Sequence, residues 1–140
     1  MLLQAVEVLK KKLGIEAIEK GSFIAGRRGA ISYYFKIPSI LAIPNGCEEI
    51  GCSAFANYRG LEEVVISESV EEIRNCAFMD CKNLKKVIIP ENVKRIGDVA
   101  FFGCCDANII LKKPNKIHSI GIAAFDGCKN IEYVKKETRN

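Results

Sequence analysis

The sequence predicts an α/β repeat fold: a short solenoid of β-rich coils with helical turns, preceded by an N-terminal amphipathic helix cap. Two observations carry this prediction. An Ala-Phe pair recurs at a nearly constant interval, and apolar residues keep fixed distances from each pair. A unit this short cannot bury its apolar residues alone, so the copies must stack as successive coils.

Four copies of the repeat are in register, and each contains one phenylalanine of an Ala-Phe pair. These phenylalanines are Phe55, Phe78, Phe101 and Phe125, so the first two intervals are equal and the third is longer by one. An isoleucine stands at the same distance before each of them, at Ile50, Ile73, Ile96 and Ile120. A branched apolar segment closes the early copies, at Val64-Val65-Ile66 and Val87-Ile88-Ile89, and an inserted residue blurs its third occurrence at Ile109-Ile110-Leu111.

Within each copy we expect a short strand, a second apolar contact and a turn. Alternation at the end of the branched segment predicts the strand, and Pro90 and Pro114 close it where a missing donor does least harm. Glycines that follow three of the isoleucines suggest a turn with positive φ, at Gly51, Gly97 and Gly121. The Ala-Phe pair then begins a compact helical turn.

The chain divides into three parts: residues 1–40, residues 41–134 and residues 135–140. Apolar residues at helical spacing predict a helix over residues 1–20, and residues 22–43 read as strands of a degenerate capping coil. Leu41 and Ile43 precede Val64 and Ile66 by the interval that separates Phe55 from Phe78. Val134 is expected to begin the last strand. Three alternatives are open for the edge that follows: charged residues protect it from pairing, another subunit stacks on it, or the repeat array continues.

One copy carries a family resemblance. It resembles the BspA-like leucine-rich repeats through the pattern Leu84-x-x-Val87-x-Ile89-Pro90-x-x-Val93-x-x-Ile96-Gly97-x-x-Ala100-Phe101-x-x-Cys104. The resemblance covers about residues 41–134. It implies a leucine-rich-repeat solenoid used for adhesion or protein binding, commonly in bacterial surface proteins, and it implies no catalytic residues.

Composition argues against catalysis and metal binding. The single histidine, His118, falls in an outward, charged column, and no two cysteines have the spacing of a zinc knuckle or thioredoxin motif. We therefore expect no catalytic residues, no metal and no cofactor. Seven cysteines without an export signal predict reduced thiols in an intracellular protein; a cell-surface location is the alternative if a signal was removed.

Charge is distributed in bands along the predicted solenoid. Residues 1–40 carry +4, residues 41–79 carry −5 and residues 80–140 carry +5, which sum to the net charge of +4. This banding favours oriented protein contacts or end-to-end stacking, and we expect neither nucleic-acid binding nor membrane insertion.

The candidate binding residues lie in outward columns. Val65 and Ile88 should form an exposed apolar ridge, which Leu111 extends if the insertion follows it. Opposite charges flank the ridge, with Glu62 and Glu63 over Lys85 and Lys86. A second ladder sets Glu71 and Glu72 over Lys94 and Arg95, whereas Glu48 and Glu49 over Glu71 and Glu72 make a like-charge stack.

The cysteines are expected mostly in the core. Cys81, Cys104 and Cys128 share one inward column, and Cys105 falls in a column of basic residues and should be exposed. The sequence thus predicts a non-enzymatic protein-binding module with a protein partner. The alternatives are a self-assembling homo-oligomer that stacks through its C-terminal coil and a thiol-dependent redox protein.

Overall fold

Eleven short strands are described in a computed structural model that covers the strand segments 23–24 and 31–32, residues 39–43 and residues 45–135. In chain order they are β1 (Phe23–Ile24), β2 (Ile31–Ser32), β3 (Ile40–Ala42), β4 (Glu49–Ile50), β5 (Glu63–Val65), β6 (Glu72–Ile73), β7 (Lys86–Ile89), β8 (Arg95–Ile96), β9 (Asn108–Lys113), β10 (Ser119–Ile120) and β11 (Asn130–Lys135). The predicted helix over residues 1–20 lies outside the described residues.

The strands form two sheets that run along the solenoid. The major sheet has the order β11-β9-β7-β5-β3, and all of its neighbouring strands are parallel. The minor sheet has the order β1-β2-β4-β6-β8-β10, in which only β1 and β2 are antiparallel. Each coil contributes one strand to each sheet, so the chain forms a parallel β-solenoid of about four turns with the core between the sheets.

The strand register confirms the repeat columns. Leu41 is the register partner of Val64, and Val64 is the register partner of Val87. All three side chains are buried, as are Phe55, Phe78 and Phe101, whereas Phe125 is half-buried. Because the repeat copies are translated along one axis, residues one repeat apart stack on each other inside the core.

The segments that begin with the Ala-Phe pairs are not helical turns, and this part of the prediction is wrong. Every second amide of the segment donates a hydrogen bond to the next coil, as the Phe55 amide does to the Ala77 carbonyl at 2.8 Å. The amides between them close local turns, as from Ala54 to the Gly51 carbonyl at 3.2 Å. A helix directs each amide back along its own chain, so this division of donors prevents one.

Positive φ also occurs at positions other than the expected glycines. Gly51, Gly97 and Gly121 do not have a positive φ. In each coil the residue two positions after this site has one instead, and these residues are Ser53, Cys76, Val99 and Ala123. Gly97 and Gly121 instead leave room for the backbone of the preceding coil, which lies close to both of them. A Cβ on Gly97 would lie 2.5 Å from the Asn75 amide nitrogen, and one on Gly121 would lie 2.3 Å from the Asp98 amide nitrogen.

Two opposing length changes shift the later strands. β9 aligns with β7 one residue short of the repeat interval, as Asn108 with Lys86, whereas β10 aligns with β8 one residue beyond it, as Ser119 with Arg95. One residue is therefore missing before β9 and two are added after it. In consequence Leu111 pairs with Ile89 and is buried, so the expectation that it extends the ridge is wrong.

The same offset moves the last strand. Ile131 pairs with Ile109 and so belongs to the column of Val64 and Val87. The last strand begins at Asn130 rather than at Val134, because β11 again aligns one residue short of the repeat interval, as Asn130 with Asn108.

Replacing Gly97 by alanine should destabilise the fold by about 1–3 kcal/mol, since the added methyl group meets backbone atoms that cannot move independently. Gly60→Ala is the matched control, because nothing lies within 4 Å of a Cβ at that position. Urea unfolding of both variants measures the effect. Equal midpoints for the two variants would contradict the close approach at Gly97.

Candidate functional site

The outer face of the major sheet carries a row of apolar side chains. Val65, Ile88 and Ile110 are consecutive register partners and form what we call the apolar ridge. Val65 is 41% exposed, and the other two are half-buried. Their neighbours along each strand point inward and are buried, so the ridge stands on a fixed backbone. Ile110 takes the place in the ridge that the sequence suggested for Leu111.

Charged residues flank the ridge at one side. Glu63 and Lys86 are register partners, and Lys85 Nζ lies 3.4 Å from Glu62 Oε1. Exposed pairs of this kind contribute about 0–1 kcal/mol, so they add little stability. They place negative charge beside Val65 and positive charge beside Ile88, so the charge of this face changes sign along the solenoid axis.

The second charge ladder follows the minor sheet. Lys94 forms an ion pair with Glu71, and Arg95 Nη1 lies 4.0 Å from Glu72 Oε2. The register of β4 and β6 also sets Glu49 beside Glu72, as the like-charge stack requires. Arg74 offsets this repulsion: its Nε lies 3.8 Å from a carboxylate oxygen of each of these two glutamates. In the sequence, Arg74 stands after Ile73, at the position where the other three copies have a glycine.

A shallow groove of about 270 Å³ opens beside Arg74 on the minor sheet. Its walls include Arg95, Asn75, Asp98 and Ser119. Two of these side chains are already used in the coil turns, because the Asn75 Oδ1 accepts from the Asp98 amide and the Asp98 Oδ1 accepts from the Ile122 amide, both at 2.8 Å. The groove is therefore lined in part by side chains that already hold the coil turns together.

The predicted cysteine column is present in the core. Cys81 and Cys104 are fully buried, and Cys128 is half-buried. Each thiol donates to the carbonyl of a phenylalanine one coil back, as Cys81 Sγ to Phe55 O at 3.0 Å and Cys104 Sγ to Phe78 O at 3.0 Å. These thiols therefore give buried phenylalanine carbonyls a hydrogen-bond donor, and they link each coil to the preceding one.

Burial opposes thiolate formation at Cys47, Cys104 and Cys128, whereas the hydrogen bond with the Cys104 thiol lowers the pKa of Cys81. Burial raises the pKa of Cys128 to about 11 and the pKa of Cys47 to about 12. The pKa of Cys104 is raised by its hydrogen bond with the Cys81 thiol and then by burial. Because the thiolate is the nucleophile, the groups with a raised pKa are poorly suited to thiol chemistry.

The exposed thiols lie elsewhere. Cys105 is exposed, as expected, and its Sγ lies 3.9 Å from the Lys82 carbonyl. Cys52 is exposed as well, which the column argument missed because its repeat position is occupied by a different residue type in every copy. None of the seven cysteines forms a disulfide in the structure.

Ionisable side chains do not converge on a catalytic or metal site in the described part of the chain. His118 is exposed on the outside of its coil, and its amide donates to the Lys94 carbonyl at 3.0 Å. Across residues 39–43 and 45–135, no three histidine, cysteine or acidic side chains are close enough to hold a metal ion. In the same residues, no helix is long and apolar enough to cross a membrane.

The family model for the BspA type leucine-rich repeat region matches residues 30–139 with six copies. The chain belongs to this family. The family match extends the repeat region N-terminal to the four copies that the sequence pattern shows, and it includes β2 and β3. The comparison with curated proteins found no match.

Three solved structures are similar to this chain. A leucine-rich repeat protein from Bacteroides ovatus is 28% identical, with a TM-score of 0.67 over 88% of this chain and 37% of its own. A leucine-rich cell surface protein from Faecalibacterium prausnitzii is 25% identical, with a TM-score of 0.50 over 84% of this chain and 38% of its own. The pneumococcal vaccine antigen PcpA, at 20% identity and a TM-score of 0.51, covers 78% of this chain and 32% of its own and shares the fold. The chain thus spans roughly a third of the length of each.

Thiol labelling of the folded chain should divide the seven cysteines by exposure. The exposed Cys52 and Cys105 should react fast and the half-buried Cys76 and Cys128 more slowly. The three buried thiols should react only after denaturant is added, because reaction requires an accessible thiolate. Time-resolved labelling with an aromatic disulfide reagent, followed by peptide mapping, measures this order. The Cys52→Ser, Cys105→Ser double variant should lose the fast phase, and equally fast labelling of Cys104 would contradict the assignment.

Stability should decrease at alkaline pH through Cys47. Its pKa is raised from 9.0 to about 12 in the folded chain, so its contribution is complete below pH 9 and is lost as the pH rises towards 12. Cys47→Val introduces the residue found at the matching positions 70 and 93 and should flatten the decrease. Urea unfolding across this pH range measures it, with Cys105→Ser as the exposed control. Parallel curves for the wild type and Cys47→Val would contradict the prediction.

Proposed function

We propose that this chain is a non-enzymatic protein-binding module and that the apolar ridge is its binding surface. The observation that carries the proposal is the row formed by Val65, Ile88 and Ile110 on the outer face of a parallel sheet. Membership of a leucine-rich repeat family supports an interaction role, and the dispersed ionisable residues give no support to catalysis.

The ridge has properties suited to protein recognition. Its backbone is fixed on both sides by hydrogen-bonded neighbouring strands, so binding costs little ordering entropy. Apolar side chains at its centre and charged residues at its margin match the usual division of an interface into core and rim. The charges also change sign along it, from Glu62 and Glu63 to Lys85 and Lys86, which favours one orientation of the partner.

The partner that fits is a protein surface with an exposed apolar strip. Basic groups on that strip would face Glu62 and Glu63, and acidic groups would face Lys85 and Lys86. Nucleic acid fits less well, because the acidic residues interrupt any continuous track of positive charge.

The alternatives differ in their support. A thiol-dependent redox function would rest on the exposed Cys105 or on the core column of Cys81, Cys104 and Cys128, and the labelling order above tests it. An intracellular location is supported by seven cysteines without a disulfide. A cell-surface location is supported by the description of the relative from Faecalibacterium prausnitzii, and fractionation of the source cells separates the two.

Replacing Val65 and Ile88 by lysine should weaken partner capture at least about tenfold, since a buried apolar anchor contributes about 2 kcal/mol or more to an interface. Phe102→Lys is the matched control, because Phe102 is 40% exposed and Val65 is 41% exposed, but Phe102 lies on the turn segment away from the major sheet. Capture from source-cell extract by the immobilised chain, quantified by mass spectrometry, compares the three proteins.

The folded state of each variant is checked by its thermal unfolding midpoint. If the folded Val65→Lys, Ile88→Lys variant captures the same proteins in the same amounts as the wild type, the ridge is not the binding surface. If Phe102→Lys alone loses capture, the site lies on the turn segments.

A further inference from the structure

The corner between β3 and β4 contains an asparagine that is followed by a glycine. Asn45 and Gly46 form an exposed turn, and Gly46 has a φ of 96°. Among the asparagines of the sequence, Asn45 alone precedes a glycine. Because glycine has no Cβ, its amide nitrogen reaches the side-chain carbonyl carbon of the preceding asparagine with little steric hindrance. The turn therefore brings a nucleophile and an electrophile together.

The reaction open to this pair is loss of the side-chain amide. The Gly46 amide nitrogen gives up its proton and attacks Cγ of Asn45, so a carbon–nitrogen bond forms and the bond from Cγ to Nδ2 breaks. The NH2 group leaves with that proton as ammonia. Water then opens the five-membered imide at one of its two carbonyl carbons, which yields either aspartate or isoaspartate. Water is the only co-reactant, and no oxidant or cofactor is consumed.

Ser69 of the next coil holds the nucleophile of this reaction. The Gly46 amide donates to Ser69 Oγ at 3.0 Å, and Ser69 Oγ donates to the Cys47 carbonyl at 2.7 Å. Because the hydroxyl proton of Ser69 goes to Cys47, the Ser67 hydroxyl is the donor in the 2.8 Å contact between the two serines. Attack by the Gly46 nitrogen therefore requires a hydrogen bond between two coils to break first.

We propose that Asn45 is a site of spontaneous deamidation and that Ser69 sets its rate from the neighbouring coil. The reaction is slow while the two coils are docked, because the Gly46 amide is bound to Ser69. It is fast when this corner opens locally and frees the amide. The amount of product therefore records how long the coil of β3 and β4 has been open.

The product changes the corner in two ways. Either product adds a negative charge near Glu68, which occupies the matching position of the next coil. Isoaspartate also carries the backbone through the former side chain, which lengthens it by one carbon atom before Gly46. The Gly46 amide and the Cys47 carbonyl are then no longer spaced to share Ser69, and Cys47, which is 2% exposed, loses its fixed place in the core. Deamidation thus makes a transient opening permanent.

The test follows the folded full chain during incubation in mildly alkaline buffer. Peptide mapping by mass spectrometry should find conversion of amide to acid first at Asn45, and hydroxylamine, which cleaves the imide, should yield fragments 1–45 and 46–140. Ser69→Ala should deamidate about two- to tenfold faster than the wild type, the factor by which one ordinary hydrogen bond changes an equilibrium. Ser69→Thr keeps the hydroxyl and should keep the wild-type rate, as should Ser119→Ala, which removes a hydroxyl outside this corner.

Two further measurements separate this role of Ser69 from a general loss of stability. In urea the wild type, Ser69→Ala and Ser69→Thr should deamidate at one rate, because the hydrogen bond is absent there. As isoaspartate accumulates in the wild type, Cys47 should become reactive without denaturant, whereas Asn45→Gln should keep it protected. Earlier deamidation at another asparagine, equal rates for folded wild type and Ser69→Ala, or a rise in Ser69→Ala that all asparagines share would each overturn the proposal.

Discussion

Phenylalanine rings from four successive coils form one continuous stack through the core, with ring centroids 5.4, 5.2 and 5.6 Å apart. These separations are close to the spacing of hydrogen-bonded strands, about 4.7–4.9 Å. Every coil must therefore advance by one strand spacing and place the same residue type over its predecessor. The strand registers, the close approach at Gly97 and the cysteine column all satisfy this single translation, and a coil that departed from it would break the stack and the backbone ladder together.

Much of this arrangement could be predicted from the sequence because a translation along one axis appears directly as a period. The pairing of Leu41 with Val64 and the inward cysteine column both follow from residues that recur once per repeat. The helical turns could not be excluded in the same way, since the backbone donors of the Ala-Phe segment are divided between two coils. That division depends on contacts between copies, and the local sequence of one copy does not show it.

The candidate site shows a similar limit. Alternation was enough to place Val65 and Ile88 on the outer face, but Ile110 replaced Leu111 because one missing and two added residues nearly cancel in the distance between Phe101 and Phe125. Period counting measures only the net change. Arg74 was also unexpected as a bridge, because its guanidinium acts between two glutamates of different coils. Such a role is visible only when both carboxylates have been placed.

Stacking also makes the local stability of a coil depend on its neighbours. Stability in a stacked array is the sum of each coil's own contribution and its interfaces with the adjacent coils. The strand β7 lies between β5 and β9, and the ring of Phe78 is stacked between those of Phe55 and Phe101. The amide hydrogens of β7 should therefore exchange only with the unfolding of the whole stack.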